Sequence, residues 1–284
     1  MSMQYNNLLF LGLPKSGKTT YFAIMVDYLQ HIVARSSNIN FRTLPSNDGK
    51  EITSKFMHKA MKDIKNQRWP EKTQDYNEPY RFMITRKGVS VRETEEFSFW
   101  DIFQPWRWSE EGRTKTVSRD IPSYIHYHDY PGEAFEAAFG VNNYDDSYKD
   151  AAEHIKSSIK SAAGIFLILD AEALYSGDDD DDSYFDTLLN LCIDINRSNP
   201  NVKLAVIFSK LELCPGVNFV ELLLKNYVGV YTRLPNNKAF FHVNTVGSVE
   251  QNDEGEWIPP KRLEPKGILE PLEWMLGYGV FFTK

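Results

Sequence analysis

Apolar positions in this chain come as short continuous runs that alternate with helical patterns. Residues 8–11 (Leu8, Leu9, Phe10, Leu11) are all apolar and stop at Gly12, and beyond Gly17 the residues Phe22, Met25, Val26 and Leu29 recur at the spacing of one helix face. The predicted order is strand, loop, helix. Further runs of the buried-strand kind lie at 124–127, 165–169, 204–208 and 240–246. Helical patterns lie between them at about 150–163, 183–197 and 217–231, and a short apolar helix follows near 268–276. Strands that are apolar and alternate with helices predict a mostly parallel sheet with helices on both faces, the three-layer α/β architecture.

The stretch from about 36 to 120 breaks the alternation. It offers one amphipathic helix, with Ile52, Phe56, Ala60, Met61 and Ile64 on one face, and then an aromatic, strand-like tract containing Phe97, Phe99, Trp100, Phe103, Trp106 and Trp108. The tryptophans either anchor a partner or pack a core. Lys50, Lys55, Lys59, Lys62, Lys65 and Arg68 against Glu51 and Asp63 give the helix region a local charge of +4. Such a face is either simply solvated or turned toward nucleic acid, an anionic surface or an acidic partner.

The whole chain is acidic, with 32 Lys+Arg against 39 Asp+Glu for a net charge of −7, which argues against a general nucleic-acid binder. Five of those charges stand in one run, Asp178, Asp179, Asp180, Asp181 and Asp182; it lacks the central glycine of a calcium loop and reads as a solvated surface loop. Two cysteines, Cys192 and Cys214, are too few for a disulfide framework or a zinc cluster, and point to a reduced, cytoplasmic setting. The first apolar run has no basic flank or cleavage signal, and nowhere do ~18 apolar residues follow one another. Neither a secretory leader nor a membrane span is expected.

The candidate chemistry begins where the first run ends. Gly12, Leu13, Pro14, Lys15, Ser16, Gly17, Lys18 and Thr19 fill every fixed position of G-x-x-x-x-G-K-[ST], between a predicted strand and a predicted helix. Gly12 and Gly17 let the backbone curl so that successive N–H groups converge on phosphate oxygens, and the helix adds its positive N-terminal end. In that scheme Pro14, Lys15, Ser16 and Thr20 line the phosphates, Lys18 reaches the β and γ phosphates, and the Thr19 hydroxyl ligates Mg²⁺. A second element follows the 124–127 run: Asp129, Tyr130, Pro131, Gly132, Glu133. D-x-x-G in this place supplies a metal-serving carboxylate and a glycine N–H for the γ-phosphate.

With these pieces the chain resembles a bacterial P-loop GTPase of the TRAFAC class, in particular the double-GTPase type found in bacterial conflict systems. The match rests on 12–19, on 129–133, on the strand ending Phe208-Ser209-Lys210-Leu211-Glu212, on Val243-Asn244-Thr245-Val246-Gly247 and on 267–274. The resemblance implies a Ras-like P-loop NTPase fold and GTP as substrate with Mg²⁺. It implies that Lys210 and Glu212 read guanine and that Asn244, Thr245 and Val246 form the loop whose backbone meets the base carbonyl. Ser209 and Glu212 depart from the strict [NT]-K-x-D pattern, so ATP stays open as the nucleotide. Glu133 stands where related GTPases place the residue that orients the attacking water, and Lys15 where potassium-dependent members carry an asparagine. Lys15 either supplies a catalytic positive charge or is an exposed loop lysine that helps phosphate affinity. A switch threonine for the metal should precede the Asp129 strand; Thr94, Thr114 and Thr116 qualify, with Thr116 favoured. His126 and His128 share one strand face, as a metal pair or as packed histidines.

At ~150 residues per domain the length would allow two domains. The motifs instead run from near residue 7 to beyond 240, so one GTPase domain over 1–284 is expected, with an insertion or extended switch I region at about 36–120. Expected partners are GTP and a protein: a second GTPase, an effector, or a second copy of the chain. The rival reading is a nucleotide-binding adaptor with little hydrolysis.

Overall fold

In a computed structural model of the chain, the residues described are 5–34, 38–46, 48–71, 78–94, 109, 114–140, 146–176 and 181–277. Seven strands form one sheet: β1 (Tyr5–Leu11), β2 (Ile39–Thr43), β3 (Tyr80–Thr94), β4 (Thr114–Asp129), β5 (Gly164–Asp170), β6 (Lys203–Ser209) and β7 (Lys238–His242). Their order across the sheet is β2-β3-β4-β1-β5-β6-β7. From β4 to β7 all neighbours are parallel, whereas β3 runs antiparallel to both β4 and β2. This is the α/β architecture the apolar runs predict.

The period of two sorts the strand residues cleanly. Leu9, Leu11, Ile165, Leu167, Leu169, Leu204, Val206 and Phe208 join one buried cluster, and Leu8, Phe10, Phe166, Ile168, Ala205 and Ile207 the other. Because both faces are covered, alternation between apolar and polar vanishes and the strands read as unbroken hydrophobic runs. On the first face lie α3 (Gly132–Phe139), α4 (Lys149–Ser161), α6 (Asp181–Ser198), α7 (Phe219–Asn226) and α8 (Val228–Arg233). On the second lie α1 (Lys18–Val33), α2 (Ile52–Lys65) and α9 (Glu270–Leu276). A one-and-a-half-turn helix, α5 (Ala171–Ser176), follows β5 directly. Phe10 sits at the centre of the second face, stacked on Phe166 with ring centroids 4.3 Å apart and edge-on to Tyr127 at 4.3 Å. The Tyr21 hydroxyl donates to the Ile268 carbonyl at 3.0 Å and so ties α1 to the segment before α9.

Differences from the sequence reading lie at the sheet margins. The helical pattern at 217–231 is two helices broken at Tyr227, and the run at 240–246 leaves the sheet after His242 because Asn244 starts a closed loop. The 36–120 stretch contributes β2, α2, β3 and the outer part of β4, and the predicted α2 face is found with Met57 added to it. Its lysines Lys55, Lys59, Lys62 and Lys65 are exposed on the opposite side. The aromatic tract at 97–108, with Trp100, Trp106 and Trp108, lies outside the described residues; so do Asp178, Asp179 and Asp180, while Asp181 and Asp182 open α6. A two-stranded hairpin, β8 (Glu250–Gln251) and β9 (Trp257–Ile258), follows the closed loop. Among the described residues no helix is long and apolar enough to cross a membrane.

Candidate functional site

Residues that follow the carboxyl ends of β1, β4, β5 and β6 line one cleft of about 380 Å³, the position where open α/β sheets hold ligands. Its two ends differ in chemistry.

At one end is the phosphate loop. Gly12 leaves β1 at φ 154°, and a Cβ there would stand 2.4 Å from the Ile168 carbonyl oxygen, so only glycine lets the loop start against β5. Lys18 is 7% exposed, and its ammonium donates to the Gly12 carbonyl at 2.7 Å and the Leu13 carbonyl at 2.8 Å. The Thr19 hydroxyl donates to Asp129 Oδ2 at 2.9 Å, which joins the first turn of α1 to the end of β4. Gly132, the first residue of α3, rests on the loop itself: a Cβ would lie 2.2 Å from the Pro14 nitrogen. Pro14, Lys15, Ser16, Gly17, Thr20 and Glu133 line the same end, with Lys15 exposed and held at φ 62°.

Tyr130 connects this end to the helix layer. Its hydroxyl is 2.8 Å from His154 Nδ1 and 3.1 Å from Ser158 Oγ, both on α4. His128 stacks on the Tyr130 ring at 5.8 Å, and burial pushes its pKa down to about 4. His126 and His128 are packed side chains of β4, and among the described residues no group of three or more His, Cys, Asp or Glu is arranged to hold a metal ion.

At the other end Lys210, in the left-handed conformation at φ 58°, forms an ion pair with Asp170 at 2.5 Å. Asp170 Oδ1 also accepts from the Glu172 N–H at 3.1 Å at the start of α5. Glu212 stands two residues on, in a one-turn helix (Leu211–Leu213), and its Oε2 is buried with no hydrogen-bond partner. Burial pushes this carboxyl above the ordinary glutamate range. Ser209 donates its hydroxyl proton to the Ser16 carbonyl at 2.7 Å, with the Leu169 carbonyl at 3.0 Å, and so links the two ends of the cleft. Although shorter than an asparagine, it reaches the phosphate loop.

Thr245 and Val246 line the cleft, but Asn244 does not. Its side-chain amide turns to Gly247, accepting from the N–H and donating to the carbonyl, each at 2.6 Å, and so closes the loop on itself. Thr116 is likewise not brought to the cleft. It pairs with Arg92 in the β3–β4 ribbon, thirteen residues before Asp129 on the same extended strand, or roughly 40 Å away. Thr94 and Thr114 are farther out still, opposite each other at the ribbon's last register position.

Several lining residues have no counterpart in the sequence reading: Glu172, Trp69, Pro70, Glu71, Val249 and Trp257. Asp170 had a usable signal, being the acidic residue at the carboxyl end of a fully apolar strand. The two tryptophans had none, since nothing in either segment announces the other.

No family model and no curated protein sequence matches this chain. Solved structures similar to it include a Plasmodium falciparum protein described as nucleolar GTP-binding protein 1, at 12% identity with 98% of this chain and 87% of that one covered, TM-score 0.39. Another is Methanosarcina barkeri Roco2 RocCORdC bound to GDP, at 10% identity with 96% of this chain and 50% of that one covered, TM-score 0.35. Likeness at these identities and scores carries no argument about chemistry.

Proposed function

We propose that the chain is a P-loop GTPase of the TRAFAC class, of the double-GTPase type, acting in the cytoplasm as one domain over 1–284. The nucleotide state would govern its contact with a second GTPase, an effector or a second copy of the chain. One observation carries the reading: a single cleft has a loop built for phosphate at one end and, at the other, a buried carboxylate oxygen of Glu212 without a hydrogen-bond partner. A buried acceptor with nothing to accept is costly, and a ligand that brings donors relieves it. Guanine offers an N1–H and an exocyclic amine side by side, matching a carboxylate, whereas the adenine N1 would meet it with a lone pair.

The donor set at Thr19 and Asp129, a hydroxyl and a carboxylate oxygen held together by one hydrogen bond, suits a hard cation of the Mg²⁺ type. When bound, such an ion would neutralise charge on the β and γ phosphates. Lys18, now spent on its own loop's carbonyls, turns to the phosphates, and the Gly132 N–H senses the γ-phosphate. Glu133, in the first turn of α3, orients the attacking water, but its own charge opposes the γ-phosphate, so intrinsic turnover is slow. The Lys15 ammonium offsets the charge that develops in the transition state.

Titration with mant-GDP, mant-GTP and mant-ATP tests the reading. Guanine nucleotides bind and Lys18→Ala does not; equal or tighter binding of mant-ATP would replace the GTPase with an ATPase. Phosphate release at saturating GTP then separates an enzyme from an adaptor. Lys15→Ala lowers that rate about tenfold, and an unchanged rate removes Lys15 from catalysis.

A further inference from the structure

The base end of the cleft has a rim that the nucleotide machinery does not account for. Trp69, from the segment after α2, donates its indole N–H to the Trp257 carbonyl of β9 at 2.7 Å, across 188 residues of sequence. Two residues earlier, Gln67 donates to Glu250 Oε2 at 3.0 Å and the Pro259 carbonyl at 3.3 Å, gripping both sides of the same hairpin. Both indoles line the cleft beside Val249 and Val246, yet Trp69 is 39% and Trp257 46% exposed. Single exposed aromatics are ordinary, but two joined by a hydrogen bond and lining the cleft that also holds the buried Glu212 oxygen leave apolar surface that a planar ligand would cover.

Backbone strain points to the same place. Among the described residues the non-glycine positions with positive φ are Lys15, Gln67 and Lys210. Two of them line the cleft, and the third is the residue that turns the chain out of α2 toward the hairpin. Left-handed conformation is unfavourable for a side-chain-bearing residue and persists where surrounding contacts impose it. Lys59 of α2 also pairs with Glu71 beyond Trp69, at 2.5 Å, so the segment is folded back onto its helix.

We propose that Trp69 and Trp257 form a clasp over the base end of the cleft, with the purine base or its ribose packing on their rings. Nucleotide loading then tightens the ties of Gln67 and Trp69, in the segment after α2, to the β8–β9 hairpin, and nucleotide loss loosens them. The clasp rests on the reading of the cleft as a purine-nucleotide site. It makes the segment that follows the basic helix, at 66–71, the reporter of the pocket's occupancy.

The test uses the full chain with GDP as probe. Hydrogen exchange at 66–71 and 250–258 slows several-fold on GDP addition. Trp69→Ala speeds mant-GDP release about tenfold. Trp69→Phe keeps a ring and loses the N–H, and Gln67→Ala removes a tie from outside the cleft lining; each raises release a few-fold and abolishes the protection at 250–258. GDP binding with unchanged exchange in both segments and unchanged release in these variants overturns the clasp. Trp69-dependent binding of ADP in place of GDP supports the clasp and overturns the guanine reading. If wild type binds neither nucleotide, both fall.

Discussion

The two ends of the cleft solve their polar requirements in opposite ways. At the phosphate end Lys18 holds loop carbonyls and Thr19 holds Asp129, inside the protein. At the base end Lys210 is paired with Asp170, but Glu212 keeps a buried oxygen with nothing to accept, and two indoles stay half open. The phosphate end is therefore preassembled and exchanges internal bonds for ligand bonds. The base end is strained until filled. A ligand gains charge neutralisation from the first and relief of a desolvated carboxylate from the second, so affinity and selectivity are separable.

The largest effect tests that separation at the phosphate end. Lys18→Ala removes the one buried cation of the loop and lowers affinity for guanine and adenine nucleotides alike, by at least about 100-fold, measured by mant-nucleotide titration. Loss of guanine binding alone would overturn the division of labour.

Next comes Glu212→Gln, which we expect to cost guanine affinity about 30-fold while leaving inorganic pyrophosphate binding unchanged. The same variant has an effect of opposite sign on the empty protein. Burial raises the folded-state pKa of Glu212, so the unfolded chain ionises first, and this group's contribution to stability falls as pH rises from the unfolded value near 4.5 and stays lost at neutral pH. Ligand-free melts of wild type and variant therefore coincide at low pH and separate toward neutral pH in favour of the variant. The gap is about 1 kcal/mol or less, because Glu212 as a whole residue is only half-buried. A wild type that melts higher at neutral pH would show that Glu212 is not strained.

The smallest effect belongs to the link between the ends. Ser209→Ala leaves the buried carbonyls of Ser16 and Leu169 without that donor and lowers stability by about 1–2 kcal/mol in urea unfolding. It loosens base and phosphate binding together, and a change confined to one end would make Ser209 a local residue.

Legibility followed burial and locality. The interior strands β1, β5 and β6 are covered on both faces, so their composition alone declares them, and the phosphate loop is one contiguous segment. The outer half of β3 is Arg86, Lys87, Gly88, Val89, Ser90, Val91 and Arg92, where only Val89 and Val91 carry the alternation and neither is fully buried, and β8 and β9 are two residues each, too little pattern to stand out. Glu212 and Lys210 were legible as residue types at a strand end. That Asn244 turns away, that Thr116 lies far out on a ribbon, and that Trp69 meets Trp257 depend on tertiary placement, which spacing along the chain does not encode.

The β3–β4 ribbon carries one more consequence. Its pairing runs from Tyr80 opposite Tyr127 to Thr94 opposite Thr114, where the two hydroxyls stand 3.3 Å apart. The chain thus leaves the ribbon at Thr94 directly opposite the point, Thr114, where it returns to it. An Asn-Gly hairpin turn joining Thr94 to Thr114 would therefore match the ribbon's own register.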